Sequence, residues 1–218
     1  DYSYAGIMRS YEDSIQRLGT RYIDILYVHD IGTYTYGQTP LERKHFKDFC
    51  DSGQQALDEL KRNGDIKAWG VGANEEAILM EVMDHAAPDI FMLANRYNLL
   101  ETDRQAFFAK CEQQGVSVAI AAPFATGVLV AKDKSSSLYE YGAVPPSVIE
   151  KINYIEAVCN RHDVPLGAAA LQFPLRNKNV VTVTCGVQSV EQAVTNYEWA
   201  NWEIPAALWD ELAGLGIK

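Results

Sequence analysis

His29-Asp30 closes the run Tyr22-Ile23-Asp24-Ile25-Leu26-Tyr27-Val28. β-branched and aromatic residues at this density read as a short strand packed on both faces, as in a parallel sheet. Polar side chains at the carboxyl end of such a strand stand where α/β folds carry their chemistry. An imidazole placed there can hydrogen-bond a reacting oxygen near neutral pH. It can equally close the strand by bonding a loop carbonyl, and the strand alone leaves both readings open. A helical run from Gly6 to Leu18 precedes it, so the unit is helix-strand rather than an isolated hairpin.

Composition narrows the function classes. The 218 residues are 48% hydrophobic and 22% charged, with a net charge of −10. A chain of this length buries a full core and is expected to form one domain. The acidic balance argues against a sequence-independent grip on nucleic acid and against adhesion to anionic membranes. No apolar run reaches membrane-spanning length, and no signal peptide opens the sequence. Cys50, Cys111, Cys159 and Cys185 are far apart and lack paired metal-ligand spacing. Free thiols in a reducing cytosol are therefore expected, with no metal site.

The elements that must position His29 alternate along the chain. Helical patterns cover Gly6–Leu18, Asp51–Asn63, Glu75–His85, Thr102–Gln114, Ser147–His162, Gly167–Leu175, Val190–Ala200 and Ala206–Ala213. Between them lie strand-like runs at Ile23–Val28, Ile66–Val71, Ile90–Leu93, Val116–Ala121 and Val180–Thr184. Alternation of this kind predicts parallel strands joined by crossover helices. Gly19, Gly64 and Gly115 each stand where a helix ends in a left-handed residue. Two long stretches, Gly32–Phe49 and Ala125–Pro146, read as surface loops.

Alternating units fit an open doubly wound sheet or a closed barrel. The glycine-rich strand-to-helix turn of dinucleotide-binding sheets is absent; Gly70-Val71-Gly72-Ala73-Asn74 lacks its third glycine. A barrel is therefore favoured. A complete eight-unit barrel needs about 250 residues, so about five βα units are expected here. The chain opens at Asp1 without methionine and enters a helix almost at once, which reads as part of a longer protein.

Several motifs together resemble the aldo-keto reductase superfamily. They are Asp1-Tyr2-Ser3-Tyr4, Arg9-Ser10, Glu12-Asp13-Ser14, Arg17-Leu18-Gly19, Ile66-Lys67-Ala68, Gly70-Val71-Gly72, the run Ala168 to Pro174, and Asn196. More narrowly the chain resembles the D-threo-aldose 1-dehydrogenase branch (L-fucose or galactose dehydrogenase type), with pyridoxal 4-dehydrogenase nearby. The resemblance runs from Asp1 to Lys218. It implies a (β/α)8 TIM barrel, a single domain over residues 1–218, and a nicotinamide cofactor bound without a Rossmann domain. The implied reaction oxidises an aldose hemiacetal to its lactone, with hydride passing to the cofactor.

Family members use an aspartate, a tyrosine, a lysine and a histidine. His29 matches the histidine, and the other three are expected on strands preceding Asp1. Oxidation removes a hydride from carbon and a proton from oxygen, so a base poised near the working pH is required. His29 is expected to hydrogen-bond the substrate oxygen and orient it.

The resemblance also implies cofactor contacts. Asn74, in the loop Gly72-Ala73-Asn74, is the candidate partner of the carboxamide. Asn95 stands beside Ala94, where relatives carry a glutamine; a polar strand end with no ligand is the other reading. Ala122, Phe124, Thr126 and Gly127 fall in the loop expected to clasp the pyrophosphate, where backbone N–H groups and the Thr126 hydroxyl suit phosphate oxygens. Gly186, Gln188, Gln192 and Asn196 fall in the adenosine-binding segment. NADPH-preferring relatives place a lysine and an arginine at Gly186 and Gln192. A phosphate monoester would be poorly satisfied without them, so NAD is expected rather than NADP.

Other classes remain open at this stage. A non-catalytic partial barrel or partner subunit would expose strand edges and invite dimerisation. A barrel isomerase or hydrolase would need metal ligands or paired carboxylates, and only Asp30 stands out. The expected ligand is a small sugar or aldehyde, and the expected state is a cytoplasmic monomer or homodimer. Tyr34, Tyr36, Tyr139 and Tyr141 could stack on a substrate ring or order their own loops. His45 and His85 read as solvated, His162 as a helix-end residue, Glu75-Glu76 as an acidic first turn, and Trp199, Trp202 and Trp209 as packing residues.

Overall fold

The computed structural model describes residues 1–139 and 142–217. The chain opens with α1 (Tyr4–Leu18), β1 (Ile25–His29), α2 (Thr33–Tyr36), α3 (Pro40–Asp48) and α4 (Gln54–Asn63). There follow β2 (Ala68–Ala73), α5 (Glu76–His85), β3 (Ile90–Ala94), α6 (Gln105–Gln114) and β4 (Ser117–Ala121). A short hairpin, β5 (Leu138–Tyr139) and β6 (Gly142–Ala143), leads to α7 (Pro146–Arg161) and α8 (Leu166–Gln172). The chain ends with β7 (Val180–Thr184), α9 (Val190–Ala200) and α10 (Ala206–Gly214). The expected α/β alternation is thus present, and the helix over 190–200 and the strand over 180–184 have the expected bounds.

Contacts divide the chain into two compact units, Asp1–Leu93 with Ala106–Val118, and Ala94–Gln105 with Ala119–Lys218. In the first, β1, β2 and β3 are adjacent and parallel, with Val28 opposite Val71 and Val71 opposite Phe91. Val71, Leu79, Val82, Phe91 and Phe107 are fully buried there. Trp69 is buried too, and its indole N–H finds Asp58 Oδ1 at 2.9 Å, so the large ring is placed without an orphaned donor. In the second unit β4 and β7 are neighbours, and α7 packs against α8 and α10. Its core includes Ile152, Ile155, Val158, Phe173, Leu208 and Leu212.

Local chemistry explains the boundaries. Ser3 caps α1 by accepting the Gly6 N–H at 3.3 Å. Gly19 ends α1 with φ 62° and Gly64 ends α4 with φ 84°, conformations that cost a glycine nothing. The short turns between α1 and β1, and between α4 and β2, follow from those caps.

Three expectations are corrected. β1 is not packed on both faces: Ile25 is 41% exposed, and among the described strands β1 pairs only with β2. The stretch 32–49 is not a loop, because α2 and α3 occupy most of it. Pro40 supplies the fixed φ that starts α3, and Phe46 is buried from its inner face. The stretch 125–146 likewise contains a 3₁₀ turn at Val128–Val130 and the β5–β6 hairpin. Both stretches are polar enough to hide their periodicity. The expectation for Tyr141 lies outside the described residues.

Candidate active site

Strand β1 delivers His29 to its carboxyl end, in register with Gly72 of β2. The imidazole is 89% exposed, with Nδ1 3.9 Å from Asp30 Oδ2. That separation exceeds a hydrogen bond and leaves a weaker electrostatic contact. Asp30 is itself buried, with a left-handed backbone at φ 40° and its N–H bonded to Gly72 O at 2.8 Å. Left-handed non-glycine residues carry strain, and strain of this kind concentrates at functional sites.

A polar and aromatic cluster backs this strand end. The Tyr2 hydroxyl lies 3.0 Å from His29 O and 2.9 Å from Asp30 O. Tyr36 Oη stands 2.8 Å from Tyr2 Oη, and Thr35 donates to Asp30 Oδ2 at 2.9 Å. Burial, followed by the Tyr36 hydrogen bond, pushes the Tyr2 phenol well above its ordinary value. His45 is half-buried rather than solvated, with ring centroids 5.1 Å from Tyr2 and 4.7 Å from Tyr36. Its Nδ1 is buried without a hydrogen-bond partner among the described residues. His85 is exposed, as expected, although it meets the Phe46 ring edge-on.

Beyond β2, Asn74 is half-buried at the position where the loop turns toward α5. Glu75 is not simply an acidic first turn. Its carboxylate accepts from the Thr33 hydroxyl at 2.7 Å and from the Tyr34 N–H at 3.2 Å. Neither Tyr2, Tyr36 nor Glu75 could be assigned these partners from local pattern, because the contacts span 27 to 42 residues.

The second unit carries the remaining candidates. β3 and β4 are each followed by a left-handed non-glycine residue, Asn95 at φ 60° and Ala122 at φ 55°. Asn95 N donates to Ala121 O at 3.2 Å, and Ala122 N to Thr184 O at 3.2 Å. Ala125, Thr126 and Gly127 continue with φ 49°, 59° and 95°. A loop so rich in positive φ turns successive peptide planes and forms concavities of the type that accept anions. The Ala122, Ala125 and Gly127 N–H groups are spent on Thr184 O, Ala122 O and Phe124 O, and the Thr126 side chain beside them is half-exposed. Phe124 meets Trp199 edge-on at 5.8 Å.

After β7 the candidates fall close together. The Gln188 N–H donates to Gln192 Oε1 at 2.7 Å, and Asn196 Nδ2 lies 3.4 Å from Cys185 Sγ. Ser189 caps α9 by accepting the Gln192 N–H at 3.2 Å. A Cβ added at Gly186 would meet nothing within 4 Å. His162 closes α7 as expected and pairs with Glu211 at 2.7 Å. Arg161 and His162 together hold the Glu211 carboxyl below its usual range. Among the described residues no group of three or more His, Cys, Asp or Glu could hold a metal, and no helix is long and apolar enough to cross a membrane.

The geometry can be set beside known proteins. The chain is 38% identical over its whole length to pyridoxal 4-dehydrogenase of Microbacterium luteolum, covering 64% of that protein. It is 35% identical to D-threo-aldose 1-dehydrogenase of a Pseudomonas species, over 98% of this chain and 62% of the relative. The chain thus spans less than two thirds of the length of these curated relatives. The holo form of aldo-keto reductase AKR11C1 from Bacillus halodurans superposes with a TM-score of 0.76 at 25% identity, covering 99% of this chain and 68% of that one. A glycerol dehydrogenase, AKR11B4 of Gluconobacter oxydans, gives a TM-score of 0.73 at 18% identity, over 99% of this chain and 64% of that one. The model of the Aldo/keto reductase family matches residues 1–217, so the chain belongs to that family and has its barrel-type α/β fold.

Proposed function

We propose that this protein is an NAD-dependent dehydrogenase, built as a single aldo-keto reductase barrel domain, that oxidises an aldose hemiacetal to its lactone. The observation that carries the reading is the exposed imidazole of His29 at the carboxyl end of β1, beside the buried carboxylate of Asp30. A side chain there can hydrogen-bond a substrate oxygen and orient the adjoining C–H bond, which is the positional part of such catalysis. When bound, the nicotinamide cofactor would supply the hydride acceptor. Asn74 would hold its carboxamide. The Ala122–Gly127 loop, with Phe124, would receive the pyrophosphate, and Gly186, Gln188, Gln192 and Asn196 would hold the adenosine.

NAD is favoured over NADP because the adenosine segment offers no cation at Gly186 or Gln192, and Gln192 spends its amide oxygen on Gln188 N. A phosphate monoester left without a cationic partner would be poorly held. The 38% identity to pyridoxal 4-dehydrogenase favours pyridoxal as a second substrate to try.

The test is cofactor reduction followed at 340 nm with L-fucose, D-arabinose, L-galactose and pyridoxal. With the family's aspartate, tyrosine and lysine present to take the hemiacetal proton, NAD should be reduced with at least one of them, and His29→Ala should lower kcat/KM about a hundredfold. Tight NAD binding with no hydride transfer from any of the four would favour a non-catalytic binding role. Tighter binding of NADP than NAD would overturn the cofactor assignment.

A further inference from the structure

We infer that Glu75 is a positioning residue that clamps the segment after β1 from the segment after β2, and so holds the strand end that carries His29. The short helix α2 has no side-chain cap of its own: its cap position is Gly32, which has nothing to offer. The cap comes instead from 42 residues away, where Glu75 Oε2 accepts from the Thr33 hydroxyl at 2.7 Å. Oε1 of the same carboxylate accepts from the Tyr34 N–H at 3.2 Å. The Tyr34 N–H is one of the first-turn donors that a helix cannot pair internally, and the carboxylate satisfies it.

Gly32 belongs to the same device. A Cβ at this position would lie 1.7 Å from Glu75 Oε1 and 3.1 Å from Ile78 Cβ. Its φ of −103° is open to any residue, so what the glycine supplies is room for the Glu75 carboxylate where it stands, not a special backbone conformation. The helix so held then holds β1. Thr35 donates to Asp30 Oδ2 at 2.9 Å, and Tyr36 meets the Tyr2 hydroxyl that bonds the main chain of His29 and Asp30. Glu75 also directly follows Asn74, so the candidate carboxamide contact and the clamp share one turn of chain.

The inference rests on the proposed dehydrogenase only for its kinetic arm. Its structural arm is amide hydrogen exchange at Tyr34, Tyr36 and Gly37, whose N–H groups bond Glu75, Gly32 O and Thr33 O. Glu75→Ala should speed exchange at these three amides about tenfold relative to β2, and Glu75→Gln, which keeps one acceptor, less. Gly32→Ala, which leaves the carboxylate intact but displaces it, should reproduce the Glu75→Ala pattern.

With the substrate that the wild-type protein oxidises best, Glu75→Ala should raise KM five- to tenfold while kcat changes less than threefold. Glu75→Gln should recover part of that loss. Unchanged exchange in both Glu75→Ala and Gly32→Ala overturns the inference, as does faster exchange with unaltered KM. A wild-type protein inactive on every substrate defeats the functional reading alone, and the exchange result then decides the clamp by itself.

Discussion

Tyr36 Oη lies 2.8 Å from Tyr2 Oη, and the Tyr2 hydroxyl in turn lies 3.0 Å from His29 O and 2.9 Å from Asp30 O. One phenol therefore secures two successive carbonyls at the end of β1, and a second phenol secures the first. Carbonyls at a strand end lack ladder partners, so a side-chain donor there replaces a bond the sheet cannot make.

Tyr2→Phe should lower stability by about 1 kcal/mol at pH 8, the usual net worth of a hydrogen bond. The same substitution should flatten the alkaline limb. Burial raises the Tyr2 value above that of the unfolded chain, so the contribution is full below about pH 10. It is lost as pH rises further toward the native value. Urea unfolding at pH 8 and pH 11 checks both parts: the wild-type midpoint should fall more between the two than that of Tyr2→Phe.

Thiol reactivity should split two and two. Burial pushes Cys111 up to about 12 and Cys159 up to about 11, so both stay protonated at pH 8. Cys185 and Cys50 are half-buried, and burial also raises Cys50. Titration with a chromogenic disulfide should release Cys185 first and Cys50 more slowly. All four should react once guanidinium unfolds the chain. Early labelling of Cys111 or Cys159, read by peptide mass, would contradict the burial argument.

Cofactor preference should be reversible at two positions. A Cβ added at Gly186 meets nothing within 4 Å, so Gly186→Lys introduces a cation whose Cβ has room. Gln192→Arg adds a second but sacrifices the bond from Gln188 N. The double variant should bind NADP roughly tenfold more tightly, or about 1.4 kcal/mol, by fluorescence titration. Unchanged NADP affinity would move the adenosine site elsewhere.

Gly167 is closed to any larger residue, because an added Cβ would lie 2.5 Å from the Trp199 ring. The indole is also fixed by Phe124 at 5.8 Å, and Gln172 Nε2 holds its carbonyl at 2.8 Å. Overpacking of this kind costs about 1–3 kcal/mol. Gly167→Ala should therefore lower the thermal midpoint measurably and should alter the near-ultraviolet dichroism of tryptophan.

The amino-acid sequence by itself determined the succession of elements and the residue most suited to chemistry. Alternating apolar runs and helical stripes marked five strands and eight helices, because strand burial and helix amphipathy are written in local periodicity. His29 was legible because it interrupts an apolar strand with a polar side chain. The family motifs were legible for a similar reason, being short and continuous.

The segments 32–49 and 125–146 were not legible, since α2, α3 and the β5–β6 hairpin are short and gain their order from contacts elsewhere. Only the tertiary structure decided that Glu75 caps α2, that Tyr2 and Tyr36 secure β1, and that His45 packs between those two rings. It also decided that Ala122, Ala125 and Thr126 take left-handed backbone, which no alanine or threonine announces. Propensity and pattern act over a few residues. Caps supplied from 42 residues away and strain held by surrounding packing exist only once the chain has folded.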